Sequence, residues 1–349
     1  MTFSSSPHDT PARSWKGPTI AAVAKVSRVG TATVDRVLNQ RGHVREATRK
    51  RVLAALASLS EATVSAPKPA PDRVIKFLSD SGVSFNRSLE AAVSGYGAER
   101  GGVDCPFAAI ATSQVDPVKF AQGIERAAEG ADGLVVVARE NLTINRALRA
   151  VTARGTPVVC LTTDLPGSGR TAYIGNDQVS AGATAAFLMG QALGNRRGNI
   201  LLVYSAPYRV QEDRELGFRR VLREEFPHLN IDDRLNSNDE SDYSYRNVMK
   251  YIEAHAAPIG IYNTAAGNVG IGRALQESQL DGKVVFVGHE LNANSRVLLE
   301  SGNMHYAIGH DVEREVAQAI EHILALLDKR PTPAAAPTHV RIFTKYNCC

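Results

Sequence analysis

The sequence predicts a small all-α head followed by a two-lobed α/β body, and three observations carry that reading. Charge is divided unevenly: residues 11–59 hold ten Lys/Arg against two acids, a net +8, whereas the residues after 59 total −3 in a chain of +4. The basic stretch shows helical periodicity in three short runs. From Arg73 onward, apolar β-rich runs alternate with segments of helix length. Near-continuous apolar strands separated by helices are the pattern of parallel sheets covered on both faces. About 270 residues of this pattern exceed one sheet, so two lobes with a cleft between them are expected.

Bulk properties narrow the class. The chain has 349 residues, 44% of them hydrophobic and 22% charged, the balance of a globular protein. No apolar run approaches the ~20 residues of a membrane span. Residues 1–17 lack the basic start and apolar stretch of a secretory signal and read as a disordered leader, which favours the cytoplasm. Cys105 and Cys160 lie in apolar runs and Cys348–Cys349 end the chain. Their spacing suggests neither a zinc site nor a disulfide framework, but buried thiols and an exposed tail pair. No cofactor or metal is expected.

In the head, Thr19 is placed to cap a helix from Ile20 to Lys25, with Ile20, Val23 and Ala24 on one face. Arg28–Gly30 is a turn, after which Thr31 caps a second helix reaching Leu38. Val34, Val37 and Leu38 form the apolar face of that helix, and Thr31, Ala32 and Arg36 lie off it. This is a helix-turn-helix. Small residues at its start let the second helix approach base edges, and Arg36 can donate to a guanine or a phosphate. Residues 39–42 form a turn, and Glu46 to Leu59, with Val52, Leu53, Leu56 and Leu59 apolar, is a third helix. A basic head is the footprint of phosphate-backbone binding; a solvated charge run is the bland alternative.

The stretch from Pro18 to Leu59, "PTIAAVAKVSRVGTATVDRVLNQRGHVREATRKRVLAALASL", resembles the DNA-binding head of the LacI (lactose repressor) family. The resemblance implies base reading by Thr31, Ala32 and Arg36, and phosphate contacts near Thr19, Thr33, Asn39 and His43. Thr31 and Ala32 replace bulkier residues common there, so a different operator is expected. One departure concerns the family's hinge segment, which folds on operator DNA and wedges a Leu into the minor groove. Here "SEATVSAPKPAPDR" stands instead, and Pro67, Pro69 and Pro71 predict an extended, semi-rigid linker. The expected division is a head over 18–60, a linker over 61–72 and a body over 73–345.

In the body, "VIKFLS", "DGLVVVA", "TPVVCLT", "NILLVYS", "PIGIYN" and "KVVFVGH" read as strands, and Asp116–Pro117 as the cap and first residue of a helix. "SDSGVSFNRSLEAAVSGYGAERGG", "YIGNDQVSAGATAAFL" and "VVFVGHELNANSRVLLESG" resemble ribose-type periplasmic binding proteins, the effector fold of the same family. That resemblance implies two doubly wound lobes joined by three crossings, a periplasmic binding protein-like type I fold. Lobe 1 would take about 72–175 and 311–328, and lobe 2 about 176–310 and the C-terminal strand.

Ligands in open α/β sheets sit beyond the carboxyl ends of strands. Those ends nominate Phe85, Asn86, Arg139, Glu140, Thr162, Thr163, Asp164 and Asp177 from the first half of the body. From the second half they nominate Tyr208, Gln211, Glu212, Arg214, Asn263, Asn268, Glu290, His310 and Asp311. By the resemblance, Phe85 falls on a sugar-stacking aromatic, and Asn86 replaces a second one. Glu212 falls where ribose binders carry an Arg, with Arg214 two places on. Bland readings stand beside these: Asp177 and Asp311 as plain helix caps, Arg139 and Arg214 as structural ion pairs, Phe85 as core. Glu290, a carboxylate directly after a buried strand, is the strongest nominee. A hydroxyl-rich ligand is favoured, and an amine-bearing one is the alternative.

The resemblance implies a ligand-responsive transcription regulator, expected to be a repressor of a carbohydrate or polyol operon. Its expected partners are double-stranded operator DNA, a small-molecule effector and a second copy in a homodimer, with no membrane. No GxSxG elbow, phosphate loop, dinucleotide fingerprint or metal cluster supports an enzyme. A transport binding protein without a regulatory role shares the body, and the basic head argues against it.

Overall fold

The computed structural model describes residues 19–39, 41–42, 44–65, 72–99 and 101–348. The chain divides into two compact units, Met1–Ala70 and Pro71–Cys349. The expected leader, residues 66–71 of the Pro-rich linker, His43 and Cys349 lie outside the described residues.

The first unit holds three helices. Helix α1 (Ile20–Ser27) is capped by Thr19, whose hydroxyl accepts from the Ala22 N–H, and ends at Arg28 in left-handed conformation, φ 54°. Helix α2 (Thr31–Leu38) follows, but its N-cap is Gly30 and Thr31 is its first helical residue. The backbone of Gly30 takes the place expected of the Thr31 side chain. Val23, Ala24, Val34, Val37, Val52 and Ala55 form the core. Ile20, at the first position of α1, and Leu53, both expected there, are exposed; Leu53 lies one residue from the Val52 face, a turn of about 100°. Helix α3 (Glu46–Ser65) runs past Leu59 and five residues into the expected linker. "SEATVS" contains neither Pro nor Gly, so only the prolines beyond it oppose the helix.

Lobe 1 of the second unit consists of β1 (Arg73–Ser81), α4 (Val83–Glu99), β2 (Val103–Asp104), β3 (Phe107–Ala111), α5 (Pro117–Ala128), β4 (Gly133–Val137), α6 (Leu142–Ala153), β5 (Val158–Leu161) and β6 (Ala172–Ile174). Its sheet runs β2-β1-β4-β5-β6, with β3 also beside β1, all parallel. Lobe 2 consists of α7 (Gln178–Leu193), β7 (Gly198–Tyr204), α8 (Arg209–Glu225), β8 (Leu229–Asn236), α9 (Ser241–Ala254), β9 (Gly260–Asn263), α10 (Asn268–Glu277), β10 (Val285–His289), α11 (Ala293–Glu300) and β11 (Tyr306–Gly309). The chain returns to lobe 1 for α12 (Val312–Leu327) and ends in β12 (Arg341–Phe343). The second sheet runs β12-β11-β10-β9-β7-β8, antiparallel only at β12.

Alternation along the strands covers both faces of each sheet. Val135 and Val137 pack under α4 and α12, while Leu134 and Val136 pack under α5 and α6. In lobe 2, Leu202 faces α7 and α8, and Leu201 and Val203 face α9 and α10. Both sheets are therefore doubly wound. Asp116 caps α5 with Pro117 in its first turn. Cys105, Cys160 and Cys348 are free thiols. Burial pushes the Cys105 thiol up to about 11 and the Cys160 thiol up to about 12. Cys348 is fully buried rather than part of an exposed tail, since it packs in the core beneath β7 and β9.

Candidate functional site

On α2 the periodicity leaves Thr31, Ala32 and Arg36 exposed and Thr33 half-buried, with Val34 and Val37 turned inward. Thr19 and Asn39 are also exposed, and the Asn39 amide donates to Asp35 Oδ1 at 2.7 Å. Lys25, Arg28, Arg41, Arg45, Arg49, Lys50 and Arg51 are all exposed. The head thus presents small and basic side chains to solvent around a short, rigid helix.

The body's carboxyl-terminal strand ends converge on a cleft of about 440 Å³ between the lobes. Lobe 1 supplies Phe85, Thr162 and Thr163, and lobe 2 supplies Gln211, Arg214 and Glu290. Phe85 is only 4% exposed within the lobe 1 core and also lines the cleft.

Two opposite charges line this cleft, and neither forms an ion pair among the described residues. Arg214 is buried on α8, its Nε donating to Gln178 Oε1 at 2.8 Å and its Nη1 to the Thr264 carbonyl at 2.8 Å. No carboxylate lies within ion-pair distance of it among the described residues, and Nη2 has no partner there. The Glu290 carboxylate likewise has no hydrogen-bond donor among the described residues. Burial pushes the Arg214 pKa down and that of Glu290 up, the latter opposed by the Arg214 charge. Polar groups that line a cleft with few protein partners and open to its space fit a polar guest.

Thr162 and Glu290 share an unusual backbone. Each follows directly on a strand, β5 or β10, with φ of 62° and 69°. Each donates its N–H across to the last isoleucine-bearing position of the neighbouring strand, Thr162 to the Ile174 carbonyl and Glu290 to the Ile308 carbonyl, both at 2.8 Å. Left-handed φ on a β-branched residue is a strained state that clusters at functional sites.

Beside the cleft the lobes are bonded directly. Tyr208 donates to Asp80 Oδ1 at 2.7 Å, and Thr112 donates to Asp239 Oδ2 at 2.6 Å. The Ala266 N–H donates to the other Asp239 oxygen at 2.9 Å. Burial raises the Asp239 pKa against those hydrogen bonds. Asp80, Thr112, Gln178 and Asp239 were not among the nominated residues. Asp80 is the last residue but one of β1, in "FLSDS", and could have been found by reading strand ends, as Glu290 was.

Several nominees are turned elsewhere. Asn86 accepts from Ser79 at 2.6 Å and donates to the Ser81 carbonyl at 2.8 Å, bracing the end of β1. Arg139 pairs with the fully buried Asp80 carboxylate through Nε at 2.6 Å and Nη2 at 2.8 Å. Asp164 is paired with Arg170, and Glu140 accepts from Asn145. Asp177 and Asp311 cap α7 and α12. Glu212 is exposed, so Arg214, two positions on, is the α8 cation that enters the cleft. Asn263 bonds the Ala266 carbonyl, Ala265 N–H and Asn268, shaping the 264–266 loop that lines the cleft. Asn268 and Glu290 border a flanking groove of about 730 Å³, and His310, Phe85 and Glu290 another of about 690 Å³. No helix among the described residues is long and apolar enough to cross a membrane.

Comparison with known proteins agrees with this division. A family model described as bacterial regulatory proteins, lacI family, matches residues 19–65, and one described as a periplasmic binding protein domain matches residues 77–331. No curated protein sequence matches the chain. Among solved structures, a transporter solute binding protein from Burkholderia graminis in complex with D-arabinose is 21% identical with TM-score 0.74, covering 80% of this chain and 98% of its own. A glucose-galactose binding protein from Geobacillus stearothermophilus is 18% identical with TM-score 0.71, covering 79% of this chain and 98% of its own. A solute binding protein from Agrobacterium vitis with bound D-fucose is 19% identical with TM-score 0.72, covering 78% and 96%. At these identities the likeness is one of fold. A lacI-type helix-turn-helix, followed by a periplasmic binding protein domain over most of the chain, makes this protein a member of the lacI family of bacterial regulatory proteins, a ligand-responsive transcriptional regulator.

Proposed function

We propose that the regulator is a cytoplasmic homodimeric repressor that reads a near-palindromic operator and is controlled by a monosaccharide or polyol. Thr31, Ala32 and Arg36 face base edges in the major groove, while Thr19, Thr33, Asn39 and His43 position the helix on phosphates. Two-fold symmetry of the dimer matches two half-sites. The effector sits between Phe85 and the Arg214 and Glu290 pair, and its regulated genes handle that carbohydrate.

The observation that carries the effector class is that Arg214 and Glu290 line one cleft and neither forms an ion pair among the described residues. Hydroxyl groups both accept and donate, so a polyol satisfies the guanidinium and the carboxylate together without a net charge of its own. The bound sugars of the structural neighbours support the same class. An effector that changes operator affinity contributes a coupling of about 1–3 kcal/mol, a factor of 5–150.

A thermal-shift screen with D-arabinose, D-fucose and common polyols tests the cleft, because a ligand of the folded state raises the melting temperature by mass action. The expected hit stabilises the native chain and loses its effect in both Arg214→Met and Glu290→Gln. A hit indifferent to both substitutions would remove the cleft assignment. Fluorescence anisotropy on DNA upstream of the protein's own gene tests the head, and no preference over competitor DNA would reject operator reading.

A further inference from the structure

The three crossings between the lobes meet at one side chain. Glu315 lies in the first turn of α12, is fully buried, and does not line the cleft. Its Oε1 accepts from Nδ1 of His310, in the second crossing, at 2.8 Å and from Oγ1 of Thr338, in the third, at 2.5 Å. Thr338 is tied in turn to the first crossing: its N–H donates to the Gly175 carbonyl at 3.1 Å, and it forms an isolated β-bridge with Asn176.

The other carboxyl oxygen faces the cleft wall. Glu315 Oε2 accepts from Oγ1 of Thr162 at 3.2 Å. The Thr162 carbonyl accepts from Gln178 Nε2 at 3.4 Å, and Gln178 Oε1 accepts from Arg214 Nε at 2.8 Å. A continuous buried chain therefore runs from Arg214 through Gln178 and Thr162 to Glu315, and from there to His310 and Thr338. The Phe85 ring stacks on His310 with centroids 6.3 Å apart. His310 Nε2 is buried with no partner among the described residues, so the bond to Glu315 is the polar contact there that sets this ring's position.

We infer that Glu315 is a positioning residue that transmits the state of the cleft to all three crossings at once. A buried carboxyl group with three donors loses stability when any one is withdrawn. The crossings consequently move together rather than singly, and a guest that draws on Arg214 or shifts Thr162 disturbs the same carboxyl group. The regulatory meaning rests on the cleft being the effector site; the contacts themselves do not.

Amide hydrogen exchange on the full-length protein without any ligand tests the inference, so a failure of the sugar assignment leaves it standing. Glu315→Gln should speed exchange in 173–178, 309–312 and 336–341 together, by about tenfold to a hundredfold, with β4 and β9 unchanged. Acceleration confined to the start of α12 would overturn it. Transmission is read separately from support. Arg214→Met should speed exchange at 309–312 in the native background and add nothing there in a Thr162→Val background, whereas additive effects would refute a connected chain. Should Glu315→Gln also strip protection from β4 and β9, Thr338→Val takes its place, and an unmoved first crossing would then count against the proposal.

Discussion

Adding one methyl group at Gly182 should dismantle the cleft from behind. Helices α7 and α8 cross where Gly182 and Gly217 face each other's backbones. A Cβ at Gly182 would lie 1.8 Å from the Arg214 carbonyl oxygen and 2.8 Å from its Cα, and one at Gly217 would lie 1.9 Å from the Val179 carbonyl oxygen. Carbon atoms settle at about 3.5 Å from their neighbours, so the helices must part by more than about 1 Å. Overpacking costs about 1–3 kcal/mol, and the upper end applies because the obstacle is backbone with no rotamer to yield. Replacing a helical glycine by alanine returns about 1 kcal/mol, which leaves a net loss near 2 kcal/mol. At about 2–4 °C per kcal/mol for a domain approaching this size, thermal unfolding of the Gly182→Ala body should fall by about 4–8 °C. Arg214 rides on α8, so its bonds to Gln178 and Thr264 lengthen as well, and any ligand-induced rise in melting temperature should shrink in the same variant. The Gly182→Ala/Gly217→Ala pair should lose less than the two singles combined, since parted helices admit both methyls. An unchanged or higher melting temperature for Gly182→Ala, or strict additivity, would refute this account of how Arg214 is placed.

Other expectations follow from the same contacts. Burial raises the folded-state pKa of Glu290, so folding takes up protons at this site and its ionised form opposes folding above the ordinary 4.5. Glu290→Gln should therefore be the more stable protein near pH 7.5 by urea titration, and its advantage should vanish as the pH falls to about 4.5; an advantage constant with pH would show that the charge is not the cause. Arg139→Met strands the Asp80 carboxylate, whose side chain is 0% exposed, and should cost about 3–5 kcal/mol in chemical denaturation, with part of it recovered by adding Asp80→Asn. Arg36→Met should leave the melting temperature unchanged because the side chain is exposed, and should weaken operator binding in gel shifts by about 1–3 kcal/mol if it pairs with a guanine. One base pair inserted at the operator centre should be tolerated in the same assay, because Pro67, Pro69 and Pro71 follow α3 where a minor-groove wedge would have to form; a large loss would restore the hinge.

The six strand runs named from the sequence all form strands because each is buried on both faces, as β4 and β5 are throughout. Two of the strands that escaped notice, β3 and β8, lie where that rule fails. β8 is the edge of its sheet and carries Asp232, Asp233 and Arg234, so its hydrophobic signal is diluted. β3 pairs only with β1, and its three central residues are exposed. The loss of β8 also hid Asp239, which follows its end. Sequence order locates strand ends well, and so it found Phe85, Gln211, Arg214 and Glu290. It cannot show which way a side chain turns there, because that depends on partners far along the chain. Arg139 is turned by Asp80, 59 positions away, and Thr162 is linked to Glu315 across 153. Asn86 is diverted by a nearer competitor, Ser79.

The two left-handed residues show why the cleft is built as it is. A strand continuing through Thr162 or Glu290 would alternate its side chains into the two packed faces of the sheet. Reversing φ at that point breaks the alternation and leaves both side chains on the cleft wall, one from each lobe. Each reversal costs about 1–3 kcal/mol, and each is held by an N–H to the adjacent strand, from Thr162 to Ile174 and from Glu290 to Ile308. Glu290 adds the cost of a half-buried carboxylate with no hydrogen-bond donor among the described residues. Neither cost serves the lobe that bears it, since a glycine or asparagine would adopt the same backbone with less strain. The side chains account for it: the Thr162 hydroxyl reaches Glu315, and the Glu290 carboxylate stands free in the cleft. The fold thus spends stability at the two equivalent strand ends where one lobe presents a free carboxylate to the cleft and the other lobe presents its link to the crossings.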